Sequence, residues 1–489
     1  MAINFRQRAL TAAVALIPFV HAAGITLQVE DSASVKAAAA IAANGLMKLY
    51  VNNATGTTPI KVGTFDKPIY WWEAGAVWGG LVDYWSYTGD ASYVSTTTQA
   101  LLAQKGPAND FMNVEWEKEL GNDDQVFWAL AAMSAAEQDF PSPASATASD
   151  VSNPPASWLE LAVNTFNTQI ARWDTATCNG GLRWQIYSTN NGYTYKNSIS
   201  NGGLFQLAAR LHRATGNATY ATWATRVWDW SVGVGAIDTQ YNIFDGAGVD
   251  QNCTQFDKTQ WSYNVAMYLY GAAALYNTTD GAEPWATHAR GLLANAAAGF
   301  FGPSDNASQI AFERACEPIG TCNTDQLSFK AYLARWMAKT SVLAPAVDNG
   351  TVAPLLRASA LGAAAACSGE ADGTSCGFRW DINGYDGKAG VGPQLAAMEV
   401  IQALLVHEAP APGAAGGEGT TTPSVSAAAA APTTLLTSTR TTPTPTTTTA
   451  PTTPAPAATT PANTAAAMSR LLPLVAAAAA KAQPADAMF

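Results

Sequence analysis

The chain has 489 residues and a formal net charge of −11, with only 13% charged residues against 16 Trp and 16 Tyr. That length fits one large domain with appendages, and the negative balance argues against nucleic acid or anionic membrane surfaces as partners. It leaves room for a neutral ligand held in aromatic-lined clefts, such as a sugar.

In chain order, residues 1–22 come first: Arg6 and Arg8, an apolar stretch from Ala9 to Val20, then the small-residue pattern around Ala22. This reads as a secretory leader, because the apolar run is too short to span a bilayer. Export predicts oxidised cysteines. All six (Cys178, Cys253, Cys316, Cys322, Cys367, Cys376) lie beyond the leader. The expected pairs are the local loops Cys316–Cys322 and Cys367–Cys376, with Cys178–Cys253 left over. Acceptor sequons for N-glycosylation stand at Asn53, Asn217, Asn252, Asn277, Asn306 and Asn349, which fits a eukaryotic secretory protein.

From 23 to 407 the chain has one rhythm. The stretches 80-GLVDYWSYTGDASYVSTTTQALL-102 and 203-GLFQLAARLHRATGNATYATWATRVW-228 both read as helix, Thr-Gly turn, helix. The glycine ends the first helix and a short polar side chain caps the next. Helical patterns run over 33–50, 74–87, 92–104, 122–138, 156–171, 201–214, 218–232, 260–276, 283–298, 325–339, 352–366 and 390–406, with little strand-like alternation. Helical hairpins at a regular period form either an open solenoid or a closed toroid. The loops entering the first helix of each pair are long and rich in Gly, Trp and Asn, and closure would gather them on one face. The expected fold class is therefore all-α, an (α/α)6 barrel of six hairpins in a toroid. Residues 408–465 form a Thr/Pro/Ala tract unable to build a core, read as a disordered, O-glycosylated stalk. Residues 466–489 carry the apolar run 471-LLPLVAAAAA-480 after small residues, which resembles a GPI-attachment signal, although Lys481 and Asp486 follow it. The expected destination is the cell surface: secreted, and held at the plasma membrane or wall.

The first helix of most pairs opens on a polar and aromatic burst: 70-YWWEAGAVWGG-80, 120-LGNDDQVFW-128, 195-YKNSISNGG-203, 259-TQWSYN-264, 325-DQLSFK-330 and 385-YDGKAGVGPQ-394. Any single Trp is better explained by core packing, but six bursts at equivalent places suggest a common cleft. The residues expected to contact substrate are Trp71, Trp72, Asn122, Gln125, Trp128, Trp184, Asn197, Asn201, Trp261, Tyr263, Asn264 and Asp386. Adjacent carboxylates occur in one burst alone, at Asp123 and Asp124. Near a helix N-terminus a carboxylate can simply cap, but capping needs only one and leaves the second free. Retaining glycosidases use two carboxyls about 5–5.5 Å apart, a distance neighbours can reach, and inverting ones about 6.5–9.5 Å. Proximity also splits their proton affinities, so that one serves as ionised nucleophile and the other as acid.

The segments LGNDDQVFWALAAMSAAE, YKNSISNGG, the S-F-K-x-Y-L-x-R-W-M run at 328–337 and CGFRW…GYDGKAGVG…LAAMEVIQALL at 376–405 resemble the glycoside hydrolase family 76 endo-α-1,6-mannanases, the fungal wall-associated branch most of all. The resemblance spans nearly all of 24–407. It implies an (α/α)6 barrel and retaining cleavage of α-1,6-mannan, with Asp123 as nucleophile and Asp124 as acid/base. The branch implies action on the mannose core of GPI-linked glycoproteins with β-glucan as an acceptor. No cofactor is expected and no metal site, since His212, His288 and His407 are isolated and no C-x-x-C occurs. The expected state is a monomer. Two other readings remain: a non-catalytic mannan-binding wall protein on the same fold, and a structural glycoprotein whose stalk is the point. The intact Asp pair favours the enzyme over the first. The aromatic bursts speak against the second.

Overall fold

The computed structural model describes residues 24–53, 56–143, 155–302, 309–370 and 372–413. The expected leader, the tract beyond 413, the expected attachment signal and Asn306 lie outside these residues.

Among the described residues there are thirteen helices. In order they are α1 (Ser32–Lys48), α2 (Trp71–Thr88), α3 (Val94–Gln104), α4 (Asn122–Glu137), α5 (Trp158–Ala171), α6 (Ser198–Thr215), α7 (Ala218–Gly233), α8 (Ser262–Thr278), α9 (Trp285–Phe300), α10 (Phe329–Leu343), the short α11 (Pro345–Asp348), α12 (Val352–Ala366) and α13 (Val391–Gln402). Helices α2, α4, α6, α8, α10 and α13 pack side by side, and α13 returns to α2, closing a ring. The other long helices pack outside their hairpin partners: α3 on α2, α5 on α4, α7 on α6, α9 on α8, and α1 and α12 on α13. This is the (α/α)6 toroid that the hairpin period predicts.

Composition explains the two layers. Inner helices are buried on nearly every face, polar residues included: α4 buries all but its two aspartates and Ala136, and α10 buries Lys330, Arg335 and Lys339. Outer helices keep one apolar stripe. The Thr-Gly turns behave as expected: Gly89 and Gly216 take left-handed conformations (φ 76° and 68°) that end α2 and α6. Asn217 then caps α7 through a bond from the Thr219 N–H at 2.9 Å. The barrel interior toward the inner-helix C-termini is filled by matched ions rather than hydrocarbon. Arg210 pairs with Glu137 at 2.7 Å, Arg335 with Glu399 at 2.5 Å, and Lys339 with Asp83 at 2.7 Å. Gly80 lets Glu399 approach, since a Cβ there would collide with its carboxylate. The last described residues fold over this same end, where Gly413 N–H bonds the Glu137 carbonyl at 2.7 Å.

Disulfides join Cys178–Cys253, Cys316–Cys322 and Cys367–Cys376, the expected pairs. Of the sequon asparagines, Asn53, Asn252, Asn277 and Asn349 are exposed and Asn217 is half-buried. No described helix is long and apolar enough to cross a membrane.

Candidate active site

The loops entering the inner helices are braced against one another. In the loop before α6, β1 (Tyr195–Asn197) pairs antiparallel with β2 (Gly246–Gly248) from the loop before α8, and β2 pairs with β3 (Phe256–Asp257). Cys178–Cys253 ties the same two loops. Buried Lys196 donates to the carbonyls of Asp174, Thr177 and Gly180, pinning the loop from below. Asn197 is thereby fixed at the head of α6, where its Oδ1 caps the helix through the Ser200 N–H at 3.2 Å. Its Nδ2 faces Asp123.

Asp123 and Asp124 stand on the first turn of α4, both half-buried. The second aspartate does the capping: Asp124 Oδ2 accepts the Gly121 N–H at 2.6 Å. Asp123 is the freer of the two and accepts the Asp124 N–H at 3.2 Å and Asn197 Nδ2 at 3.4 Å. Sequence reasoning left the second free, and the geometry reverses that order, because only the third residue of the helix can reach back to the N-cap N–H. Gly121 makes the pair possible. A Cβ built there would sit 2.4 Å from Asp123 Oδ1 and 2.4 Å from Asp124 Oδ2. Both oxygens therefore crowd one point and lie no more than about 5 Å apart, below the roughly 6.5–9.5 Å between the carboxyls of inverting glycosidases.

Two further acids belong to this group. Asp325, in the loop before α10, accepts Trp72 Nε1–H at 3.0 Å. Glu73 accepts the Tyr70 N–H at 3.0 Å and is buried. Among the described residues none of the four has a cation at ion-pair distance. Asp123 is pushed up to about 7, mainly by burial, with its amide donors and Asn197 opposing and Asp325 adding to the rise. Asp124 is held well above the usual carboxylate range by burial and then by the charge of Asp123, with Asp325 adding to it. Burial lifts Asp325 to about 6 against the Trp72 bond, and burial followed by the field of Asp325 lifts Glu73. More donors point at Asp123 than at Asp124. Asp123 thus ionises first, and its charge keeps the proton on Asp124.

The expected contact residues divide. Trp72 rests against Phe127 (ring centroids 4.7 Å) one helical turn beyond Asp123. Half-buried Tyr263 stacks on Phe329 at 3.8 Å, and its hydroxyl, raised first by burial, lies in the fields of Asp245, Asp123 and Asp325. Trp261 meets Phe329 edge-on and bonds Asp245. Half-buried Trp184 covers Gly192, and its carbonyl accepts the Asn122 N–H at 2.8 Å. Asn264 is buried on the first turn of α8.

Six expected contact residues are corrected. Trp71 and Trp128 stack on each other at 5.2 Å inside the helix packing, where Trp71 Nε1–H bonds Gln104 and Trp128 Nε1–H bonds the Trp71 carbonyl. Gln125 is buried against the Asp110 carbonyl, Thr168 and Arg172. Asn122 anchors the loop before α6 by donating to the Arg183 carbonyl at 2.8 Å and accepting from Arg172. Asn201 does the same through Leu182. Neither Asn122 nor Gln125 therefore supports Asp123; Asn197 does. Asp386 folds its own loop, accepting the N–H groups of Phe378, Arg379 and Lys388. For Trp71, Asn122 and Gln125 the cause is common. A helix opening into a cleft shows it only one side of its first turn, and adjacent polar residues turn to the hairpin partner. Sequence reasoning missed Asp325 and Glu73. Glu73 is the third residue of α2, as Asp124 is of α4, and that shared place was its signal; Asp325 stands four residues ahead of α10 between Thr324 and Gln326 and carried no such signal.

No group of three or more His, Cys, Asp or Glu is placed to hold a metal ion among the described residues. What the site does hold is the adjacent pair Asp123 and Asp124, with Asp325, Glu73 and aromatic rings around it.

Comparison with known proteins points the same way. A mannan endo-1,6-alpha-mannosidase of Eremothecium gossypii is 46% identical over 84% of this chain and 88% of its own. The crystal structure of Dfg5 from Chaetomium thermophilum, in complex with glucosamine, superposes with a TM-score of 0.73 at 38% identity, over 79% of this chain and 93% of that one. An inactive variant of an alpha-1,6-mannanase of Salegentibacter sp., in complex with alpha-1,6-mannotetrose, gives a TM-score of 0.56 at 16% identity over 76% and 98% of the two chains, a likeness of fold alone. The profile of Glycosyl hydrolase family 76 matches residues 34–415, and the chain belongs to that family.

Proposed function

We propose that the protein is a retaining endo-α-1,6-mannosidase that hydrolyses or transfers mannan chains in remodelling of the fungal wall. The observation that carries this reading is the pair of carboxylates converging over Gly121 at the head of α4. In the first step ionised Asp123 attacks the anomeric carbon while Asp124 gives its proton to the leaving oxygen. In the second, Asp124 takes a proton from water or an acceptor hydroxyl, whose oxygen displaces Asp123. Trp72, Trp261, Tyr263 and Trp184 supply stacking faces for mannose rings, and Asn197 orients the nucleophile. The mannose core of a GPI-linked glycoprotein and a β-glucan acceptor fit the same cleft chemistry, since both present neutral hydroxyls to aromatic faces. Secretion to the surface, a GPI tail and a monomeric state complete the proposal.

A non-catalytic mannan-binding role would not need two carboxylates held this close, at the cost of burying both. The test is to incubate the purified protein with α-1,6-mannooligosaccharides, with and without a β-glucan acceptor. Internal cleavage or transfer by the wild type, absent in Asp123→Asn, supports the enzyme. Tight binding with no turnover supports the binding protein.

A further inference from the structure

The retaining mechanism uses two carboxylates, yet two more acids belong to the cleft, and one of them, Asp325, comes from the far side of the ring. Asp325 sits at the end of a loop fastened at three points. Glu313 accepts the N–H and the hydroxyl of Ser262 at the head of α8 (2.6 Å to the hydroxyl). Glu317 pairs with Lys330 on α10 at 3.1 Å, and Cys316–Cys322 closes the turn that carries Glu317. A loop held this firmly has a fixed end. At that end Asp325 Oδ1 accepts Trp72 Nε1–H, and Trp72 lies on Phe127, which shares a face of α4 with Asp123.

We propose that Asp325 is a positioning residue of the cleft, which fixes the Trp72 ring and adds its negative charge to that of Asp123, so that the proton stays on Asp124 until the leaving oxygen takes it. This rests on the retaining mannosidase reading. The proton balance is simple: the proton on Asp124 goes to the glycosidic oxygen as the bond from that oxygen to the anomeric carbon breaks, and an Asp123 oxygen forms the new bond to carbon. Premature loss of that proton would leave two adjacent carboxylates with no donor. The groups facing Asp325 are Glu73 from α2, Asp123 and Asp124 from α4, Tyr263 from α8, Tyr332 from α10, and Lys67 and Tyr70 from the loop before α2. Glu119 adds to the field on Asp124. Lys67 is the one cation among them and is exposed and paired with Glu119, so the field stays negative. In that field Asp124 is raised by Asp325 as well as by burial and Asp123.

The test separates charge from support. In Asp325→Asn the amide oxygen still accepts the Trp72 N–H, so the ring stays and only the charge goes. The bell-shaped dependence of kcat/KM on pH should move toward acid by roughly one unit, with KM at the optimum little changed. In Asp325→Ala the ring is released too, and KM should rise as well. A second readout is independent of turnover: the drop in melting temperature between pH 5 and pH 8 should be smaller in Asp325→Asn than in the wild type, because one half-buried acid is gone and two others ionise more readily. A pH profile that superposes on the wild type, with a loss uniform in pH, would overturn the proposal, as would an unchanged dependence of melting on pH. Should the wild type fail to cleave mannan, the functional reading falls, and the melting comparison alone decides the role of Asp325.

Discussion

Gly121→Ala tests the geometry of the pair without touching either acid. The backbone there is extended (φ −95°, ψ 167°), a region open to alanine, so the substitution costs nothing in conformation. The new Cβ would instead meet Asp123 Oδ1 and Asp124 Oδ2, each at 2.4 Å, and the Trp184 carbonyl oxygen at 3.1 Å. Each carboxylate must withdraw by about 1 Å to reach ordinary contact, and the Asp124 bond to the Gly121 N–H must lengthen. Carboxylate ends swing easily, so the fold survives and the melting temperature should move by only a few degrees. Catalysis does not survive as well. A misplacement of about 1 Å costs on the order of 100-fold in rate, or about 2.7 kcal/mol of barrier. Reducing-end release from α-1,6-mannooligosaccharides should show kcat down by roughly that factor, with KM changed less. A Gly121→Ala enzyme with near-wild-type kcat would refute the claim that both carboxylates act from these positions.

Asp123→Asn should abolish turnover while leaving mannooligosaccharide binding measurable by calorimetry. Asp124→Asn should lose mannan cleavage yet still react with substrates bearing good leaving groups, and azide should accelerate that reaction and yield a mannosyl azide; no rescue would deny Asp124 the acid/base role. Stability should fall as pH rises. Asp123 (about 7), Asp325 (about 6), Asp245 (about 6) and Glu313 (about 8) all take up protons in the folded state above the pH, near 4, where the unfolded chain does. The stabilisation they give is complete below about pH 4 and is lost between pH 4 and 8, so calorimetric melting at pH 5 should exceed that at pH 8 by roughly 5 °C or more; the opposite slope would contradict the assignment. Arg210→Met strands the buried Glu137 carboxylate and should cost about 3–5 kcal/mol in denaturant melts, and a loss below 1 kcal/mol would show that the ion pairs do not hold the closed end of the barrel.

The architecture was legible because it repeats. Thr88-Gly89 and Thr215-Gly216 mark equivalent helix ends, and a period carried six times leaves little choice but closure. The Asp pair was legible because like charges at adjacent positions on the edge of a core have few structural uses. Individual contacts were harder. Trp71 and Trp72 are neighbours in sequence, but the 100° turn between successive helical residues sends Trp71 into the packing and Trp72 to the cleft. Nothing in the local pattern says which. Asn122 and Gln125 flank the acids and look like their partners, yet both turn to α5 and the Arg172 guanidinium. Asn197, which does meet Asp123, is brought there by a strand pairing between residues about fifty apart. Asp325 arrives from a hairpin three pairs further along. Such neighbours depend on ring closure, and only three-dimensional structure reveals them.

The most direct measurement is the configuration of the first product. Proton NMR recorded in the opening minutes of α-1,6-mannooligosaccharide cleavage, before the free sugar equilibrates between its anomers, reads the new reducing end. Two displacements through Asp123 predict that the α-anomer appears first and the β-anomer grows in later. Initial accumulation of the β-anomer would mean a single inverting displacement, and the account of Asp123 as a covalent nucleophile would be wrong.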